Sequence, residues 1–113
     1  MAKNTLLQVT KDYMGEGDIE LGRMLLANYF TIRNNDNNLP KIMVFFNSAV
    51  KLLVEGSPTL EIFKEIEAKG VKMISCKTCL NHFEILDKVQ AGTPGTMVDI
   101  ISLQDEADKI ISL

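Results

Sequence analysis

The chain has 113 residues, of which 46% are apolar and 24% charged, and this is typical of one globular domain spanning residues 1–113. Its 12 basic and 15 acidic residues give a net charge of −3, which argues against a protein that follows nucleic-acid phosphates. No apolar stretch has the length of a membrane span, and the amino terminus has no signal-peptide cleavage motif. We therefore expect a cytoplasmic protein that binds neither nucleic acid nor membranes.

The first half of the chain predicts two strands and two long helices. A β-rich run at residues 5–10 leads through a polar loop to Asp18, which is placed to cap a helix that ends near Arg33. After a connector rich in Asn and Asp, the continuous apolar run 41–46 predicts a strand buried on both faces. A helical turn is expected at residues 49–53, and a helix at 58–69 that Ser57 caps, Pro58 opens and Gly70 ends.

The second half continues the alternation of strands and helices. It predicts strands at 71–74, at Val89 and at 109–113, with helices at 80–86 and at 96–103, the last one capped by Thr96. Such alternation predicts an α/β fold with a mostly parallel sheet and helices on both faces. Because sites in these sheets form beyond the carboxyl ends of the strands, we expect the loops 14–20, 47–50 and 75–79 to share one rim.

Cysteine and histidine are scarce, and this restricts the chemistry to one segment. The chain has two cysteines and one histidine, Cys76, Cys79 and His82. In a reducing compartment such a pair of thiols is more typical of catalysis, redox chemistry or metal binding than of a structural disulfide. The C-x-x-C enters a predicted helix, where the helix amino terminus and Lys77 favour a thiolate. Either thiol is then a candidate nucleophile and the other its resolving partner; the alternative is a pair of buried core residues.

Two other motifs fall short of a site. The C-x2-C-x2-H pattern lacks a fourth zinc ligand, which would have to come from a carboxylate such as Asp87, a water or a second subunit, so we expect no metal and no cofactor. His82 is then a helix residue or a proton donor. Gly15-Glu16-Gly17 is no dinucleotide loop, because Glu20 occupies the position of the third glycine and the local acidic residues repel phosphate.

Several segments, in this order and spacing, resemble the DsrE/DsrF-like family, and within it the DsrE-like domain of selenium-metabolism proteins. These segments are residues 15–22, 39–41, 46–52, 55–57, 69–71 and 75–80, then Gly92, Met97 and 111–113. The resemblance implies a three-layer α/β/α fold with a five-stranded, mainly parallel sheet, assembly into homotrimers or hexamers, and the handling of sulfur. It also implies a separate donor or acceptor protein such as a TusA-like carrier, since the chain has no room for a domain of that kind.

By position, the resemblance implies that Cys76 carries a persulfide and that Cys79 is its partner. Rim residues at the substrate would be Asn47, Ser48, Lys77 and Thr78. Three positions depart from the family pattern, because Lys77, Ala49 and Glu84 stand where glycine is usual. Lys77 either acidifies a thiol or alters the geometry of the loop.

Three functions are therefore in competition. The first is a sulfurtransferase-like carrier in which Cys76 accepts sulfur or selenium and Cys79 releases it. The second is a non-catalytic module of the same fold that binds a small ligand or a protein at this rim. The third is a dithiol oxidoreductase, which ranks last because the surrounding segments are not thioredoxin-like.

Overall fold

Five strands form one sheet in the computed structural model, which describes residues 3–113; Met1 and Ala2, in the amino terminus that lacks a cleavage motif, lie outside this range. The strands are β1 (Thr5–Val9), β2 (Ile42–Phe45), β3 (Lys72–Cys76), β4 (Thr93–Gly95) and β5 (Lys109–Ser112). Four α-helices join them, α1 (Ile19–Asn35), α2 (Leu60–Ala68), α3 (Lys77–His82) and α4 (Met97–Glu106), with 3-10 helices at Asn47–Leu53 and Leu86–Lys88. The strand order is β4-β3-β2-β1-β5 with every pair parallel, which confirms the predicted α/β fold.

Helices cover both faces of the sheet. The ring of Phe45 in β2 meets Phe63 of α2 edge to face, with centroids 5.5 Å apart. Val44, the residue before Phe45 in β2, lies beside Gln8 of β1. The Gln8 side chain accepts a hydrogen bond from the Gln104 side chain of α4. Because successive strand residues point to opposite faces, α2 and α4 lie on opposite sides. The result is the three-layer arrangement that the resemblance implies.

Three aromatic rings pack between the sheet, α1 and α2. Phe30, Phe45 and Phe63 are fully buried, and the rings of Phe30 and Phe63 have centroids 4.9 Å apart. Aromatic contacts of this kind add to the stabilisation from apolar burial. Within residues 3–113, no helix combines the length and the apolar character needed to cross a bilayer.

The predicted start of α2 is wrong by two residues. Leu60 is the first helical residue and Thr59 precedes it as the cap, without a capping side chain. Ser57 instead begins a tight turn, in which its carbonyl accepts the Leu60 amide at 3.2 Å and its hydroxyl contacts that of Thr59. Pro58 therefore lies in the turn and not in the helix. The sequence does not distinguish the two positions, because the fixed φ of proline suits a turn as well as the first turn of a helix.

The predicted helix at 80–86 is also displaced. α3 begins at Lys77 and ends at His82, because Glu84 adopts a left-handed backbone with φ of 57°. The Ile85 amide then donates to the Leu80 carbonyl at 2.9 Å and the Glu84 amide to the Asn81 carbonyl at 3.1 Å. This pair of bonds is a Schellman motif, which stops a helix.

The fourth strand is not at Val89, which makes only an isolated antiparallel bridge to Val54. β4 lies instead at Thr93–Gly95, between the strand predicted at Val89 and the helix predicted at 96–103, with Pro94 next to Ser75 of β3. Proline is acceptable there because β4 is an edge strand and needs hydrogen bonds on one side only.

Candidate functional site

The loops that follow β1 and β2 meet at one rim with α3, which directly follows β3. The Asn47 amide donates a hydrogen bond to the Cys79 sulfur over 3.1 Å, which links the loop after β2 to α3. The Asp12 amide donates to the Ser48 hydroxyl, also over 3.1 Å. This bond links the loop after β1 to the 3-10 helix Asn47–Leu53, which begins with Asn47. Asp12 was not among the expected site residues, and its position just after a predicted strand was the only signal for it.

The expected segment 14–20 contributes less to this rim. The Met14 amide donates to the Gly22 carbonyl at 3.0 Å, so this part of the loop folds back on α1. Asp18 caps the same helix by accepting a hydrogen bond from the Leu21 amide at 2.8 Å, as predicted. The loop after β1 therefore reaches the rim through Asp12, and its later residues begin α1.

The two thiols are side by side but differ in their exposure. Both cysteines are free; Cys76 ends β3 with 2% of its surface exposed, whereas Cys79 is only partly buried. Burial, and then a hydrogen bond with Cys76, raise the pKa of the Cys79 thiol, while the amide of Asn47 acts to lower it. The surroundings of Cys79 therefore disfavour its thiolate, and the Asn47 amide offsets part of this effect.

Asn47 holds its amide in place by an unusual backbone conformation. Its φ is 54°, in the left-handed region that asparagine tolerates better than most residues. Its side-chain carbonyl accepts the Ser48 amide at 2.8 Å. The left-handed backbone and this side-chain bond together direct the Asn47 amide at the Cys79 sulfur.

The other expected residues occupy the outer surface of the rim. Lys77 and Thr78 are exposed in the first turn of α3. His82 is exposed as well, with its ring edge-on to Phe83 at 5.0 Å between centroids. Across residues 3–113, no group of three or more Cys, His, Asp or Glu side chains is arranged to hold a metal ion.

A cavity of about 740 Å³ adjoins this rim. Phe83 and Asp12 both line it, and the Phe83 amide donates to the Cys79 carbonyl at 3.1 Å. The Lys51 ammonium group lies 4.3 Å above the centre of the Phe83 ring. Much of the remaining wall is apolar and includes Met24, Leu26, Ala27, Leu52 and Val54. Its volume is within the usual range of small-molecule sites.

Comparison with known proteins finds one matching family and several solved structures with a similar fold. The model of the DsrE/DsrF-like family matches residues 14–113. Among solved structures, the chain is similar to the ychN protein from E. coli, with 19% identity, a TM-score of 0.70 and coverage of 97% of this chain and 99% of that one.

Two further solved structures share the fold. The protein of unknown function MTH1491 from Methanobacterium thermoautotrophicum is 19% identical, with a TM-score of 0.71 and coverage of 97% and 98% of the two chains. The conserved protein of unknown function BT1422 from Bacteroides thetaiotaomicron is 17% identical, with a TM-score of 0.69 and coverage of 99% and 97%. No curated protein matches the chain. At these identities the likeness shows the fold alone.

Proposed function

The chain belongs to the DsrE/DsrF-like family, and from this premise we propose that it is a sulfurtransferase-like carrier that holds sulfur as a persulfide on the Cys76 and Cys79 pair. The observation that supports the proposal is the contact between two free thiols at the rim, where the Asn47 amide binds the sulfur of Cys79. Thiolates attack sulfur atoms, and a neighbouring thiol is a ready partner for the product.

The transfer is an exchange between sulfur atoms without net oxidation. A thiolate of the pair attacks the outer sulfur of a donor persulfide, forming a new S–S bond, while the S–S bond of the donor breaks. The donor leaves as a thiolate and takes up the proton that the attacking thiol lost. An acceptor thiolate later attacks the outer sulfur on the carrier and restores the protein thiol. Asn47, Ser48, Lys77 and Thr78 would contact the incoming donor at this rim.

Several finer features complete the proposal. The sulfur partner would be a separate TusA-like carrier in the cytoplasm, where thiols stay reduced. The kinship would be closest to the DsrE-like carboxyl-terminal domain of the selenium-metabolism protein YedF, with selenium as an alternative to sulfur.

A homotrimer or homohexamer is supported by apolar side chains that α1 and α4 leave exposed, among them Leu21, Met24, Ile32, Met97, Val98 and Ile101. Sedimentation equilibrium tests that assembly, and a monomer at all concentrations contradicts it.

Intact mass spectrometry tests the carrier proposal. The purified protein, treated with a low-molecular-weight persulfide, should gain the mass of one sulfur atom, and the double variant Cys76→Ser, Cys79→Ser should gain none. A matched control places a thiol on the exposed surface of α4 by adding Ser102→Cys to that double variant. Failure of both the wild-type protein and Cys76→Ser to load, or equal loading of the control thiol, would overturn the proposal.

The cavity beside Phe83 favours a second candidate, a binding module for a small ligand. Its volume of about 740 Å³ and its largely apolar wall suit a small organic molecule. A thermal-shift screen of small carboxylic acids and thiols distinguishes the candidates. Equal shifts in the wild type and in Cys76→Ser, together with no sulfur loading, would favour the binding module; loading that the double variant abolishes would favour the carrier.

A further inference from the structure

We propose that Cys79 is the thiol that first receives the sulfur, that the backbone amide of Asn47 positions it, and that Cys76 acts second. This inference rests on the proposed carrier function. It differs from the assignment that the family resemblance implies, in which Cys76 loads first. Three observations carry it: the exposure of the two thiols, the hydrogen bond from Asn47, and the contact between the two cysteines.

Exposure separates the two thiols. Cys76 has 2% of its surface exposed and belongs to the apolar core at the end of β3. Cys79 is partly exposed and lies among the exposed residues Asn47, Lys77 and Thr78. Attack on a donor requires the nucleophile, the sulfur it attacks and the leaving sulfur to approach a line, so a donor must reach the thiol directly. Cys79 can be approached in this way from the rim, whereas Cys76 is almost fully buried.

The Asn47 amide contacts only one of the two sulfurs. Its 3.1 Å bond ends on Cys79, and a hydrogen bond to a thiolate favours the charged form. The left-handed backbone of Asn47, stabilised by its side-chain bond to Ser48, fixes the direction of this amide. Burial acts in the opposite direction and raises the pKa of Cys79. Asn47 therefore favours the thiolate at the accessible position against the effect of burial, which makes it a positioning residue.

The contact between the thiols gives Cys76 a later role. Once Cys79 carries the extra sulfur, the Cys76 thiolate can attack the inner sulfur of Cys79. A Cys76–Cys79 bond then forms, the bond to the outer sulfur breaks, and that sulfur leaves as hydrogen sulfide with the proton of Cys76. The sulfane sulfur is reduced while the two protein thiols are oxidised to a disulfide, and a cellular dithiol must reduce this disulfide before the next cycle. Cys76 thus discharges sulfur that no acceptor has taken.

Peptide mapping tests the order of the two cysteines. The folded chain is loaded with a limiting low-molecular-weight persulfide, alkylated, digested and mapped by mass spectrometry. We expect the extra sulfur on Cys79, normal loading but slower sulfide release in Cys76→Ser, and loading slowed by about tenfold or more in Cys79→Ser. Sulfur on Cys76 with normal loading of Cys79→Ser would overturn the order while leaving the carrier function standing. No loading of any form would instead remove the carrier function itself.

Two variants of Asn47 test the positioning role. Asn47→Gly keeps both the amide and the left-handed backbone, whereas Asn47→Val disfavours that backbone and turns the amide away from Cys79. We expect the pH profile of Cys79 alkylation to move to higher pH in Asn47→Val and to stay unchanged in Asn47→Gly. Circular dichroism confirms that each variant is folded. A valine variant that is folded and less stable but has an unmoved profile would show a merely structural role and overturn this part.

Discussion

The amide nitrogen of Asp12 and the hydroxyl oxygen of Ser48 are 3.1 Å apart, and their hydrogen bond joins the ends of β1 and β2 at the rim. Ser48→Ala removes the acceptor and leaves a partly buried amide without it. We expect the free energy of unfolding to fall by roughly 0.5–1.5 kcal/mol, measured by urea denaturation.

Ser112 provides the matched control, because its hydroxyl also accepts one hydrogen bond, from Gln8 at 3.3 Å, but at the exposed edge of the sheet. Ser112→Ala should change the free energy of unfolding by less than about 0.5 kcal/mol. Equal losses of the free energy of unfolding in the two serine variants would show that the hydrogen bond to Asp12 stabilises the fold no more than the one at the sheet edge.

The raised pKa of Cys79 predicts how its reactivity depends on pH. Because the pKa lies above that of a free cysteine, about 8.5, the thiol is mostly protonated at neutral pH. Its alkylation rate should rise by about tenfold per pH unit and continue to rise beyond pH 8.5 or so. The exposed Ser102→Cys thiol, added to the double cysteine variant, should level off near the ordinary value. A plateau for Cys79 at or below that of the control contradicts this prediction.

Local signals were sufficient for much of the fold. Asp18 and Thr96 both accept a hydrogen bond from a backbone amide three residues later, as their identities and positions before apolar helices predicted. The continuous apolar run around β2 likewise indicated a strand that is buried on both faces, which the structure confirms. Such features depend only on neighbours along the chain and can be predicted from one sequence.

The errors and omissions have a different origin. β4 contains Thr93 and Pro94, which are not residues that predict a strand. They form one because β3 lies alongside and supplies hydrogen bonds on one side. The bond between Asn47 and Cys79 joins residues that are 32 positions apart, and no spacing rule predicts it. The difference in exposure between the two thiols depends on how β3 ends against the core. The sequence pointed to the segment that carries the thiols, while their order of action had to be inferred from packing.

Gly22 permits the loop after β1 to fold against α1. A Cβ atom at this position would lie 2.9 Å from the Met14 carbonyl oxygen and 2.9 Å from Cβ of Tyr13. Alanine is favoured over glycine in helices by about 1 kcal/mol, but overpacking costs about 1–3 kcal/mol. We expect Gly22→Ala to lower the free energy of unfolding, whereas Asn28→Ala, on an exposed part of the same helix, should not. Increased stability of Gly22→Ala would mean that the loop yields easily.

The capping box of α4 predicts a pH-dependent contribution to stability. The Thr96 amide donates to the Asp99 carboxylate at 2.9 Å, and this bond lowers the pKa of Asp99. A lowered pKa means that the stabilisation is present above the unfolded-state pKa, about 3.9, and is lost as pH falls through the folded-state value. Asp99→Asn should therefore be less stable than wild type at neutral pH, with a gap that narrows in acid. Asp105→Asn, outside the cap, is the control, and a gap that does not depend on pH contradicts the assignment.

Glu84 occupies the left-handed position that ends α3, with φ of 57°. A side chain in that conformation costs about 1 kcal/mol or more, whereas glycine adopts it freely. Glu84→Gly should therefore raise the free energy of unfolding by roughly 0.5–1 kcal/mol, after allowance for the greater freedom of glycine in the unfolded chain. Thermal and urea denaturation measure the change.

Glu84→Ala separates the backbone effect from the loss of charge. Alanine removes the carboxylate but keeps the unfavourable left-handed conformation, so its stability should stay close to that of wild type. If alanine stabilises the protein as much as glycine does, the carboxylate is the cause and the backbone explanation is wrong. If only glycine stabilises it, the left-handed backbone at residue 84, which ends α3 at His82 just beyond the turn that carries Cys79, is the cause.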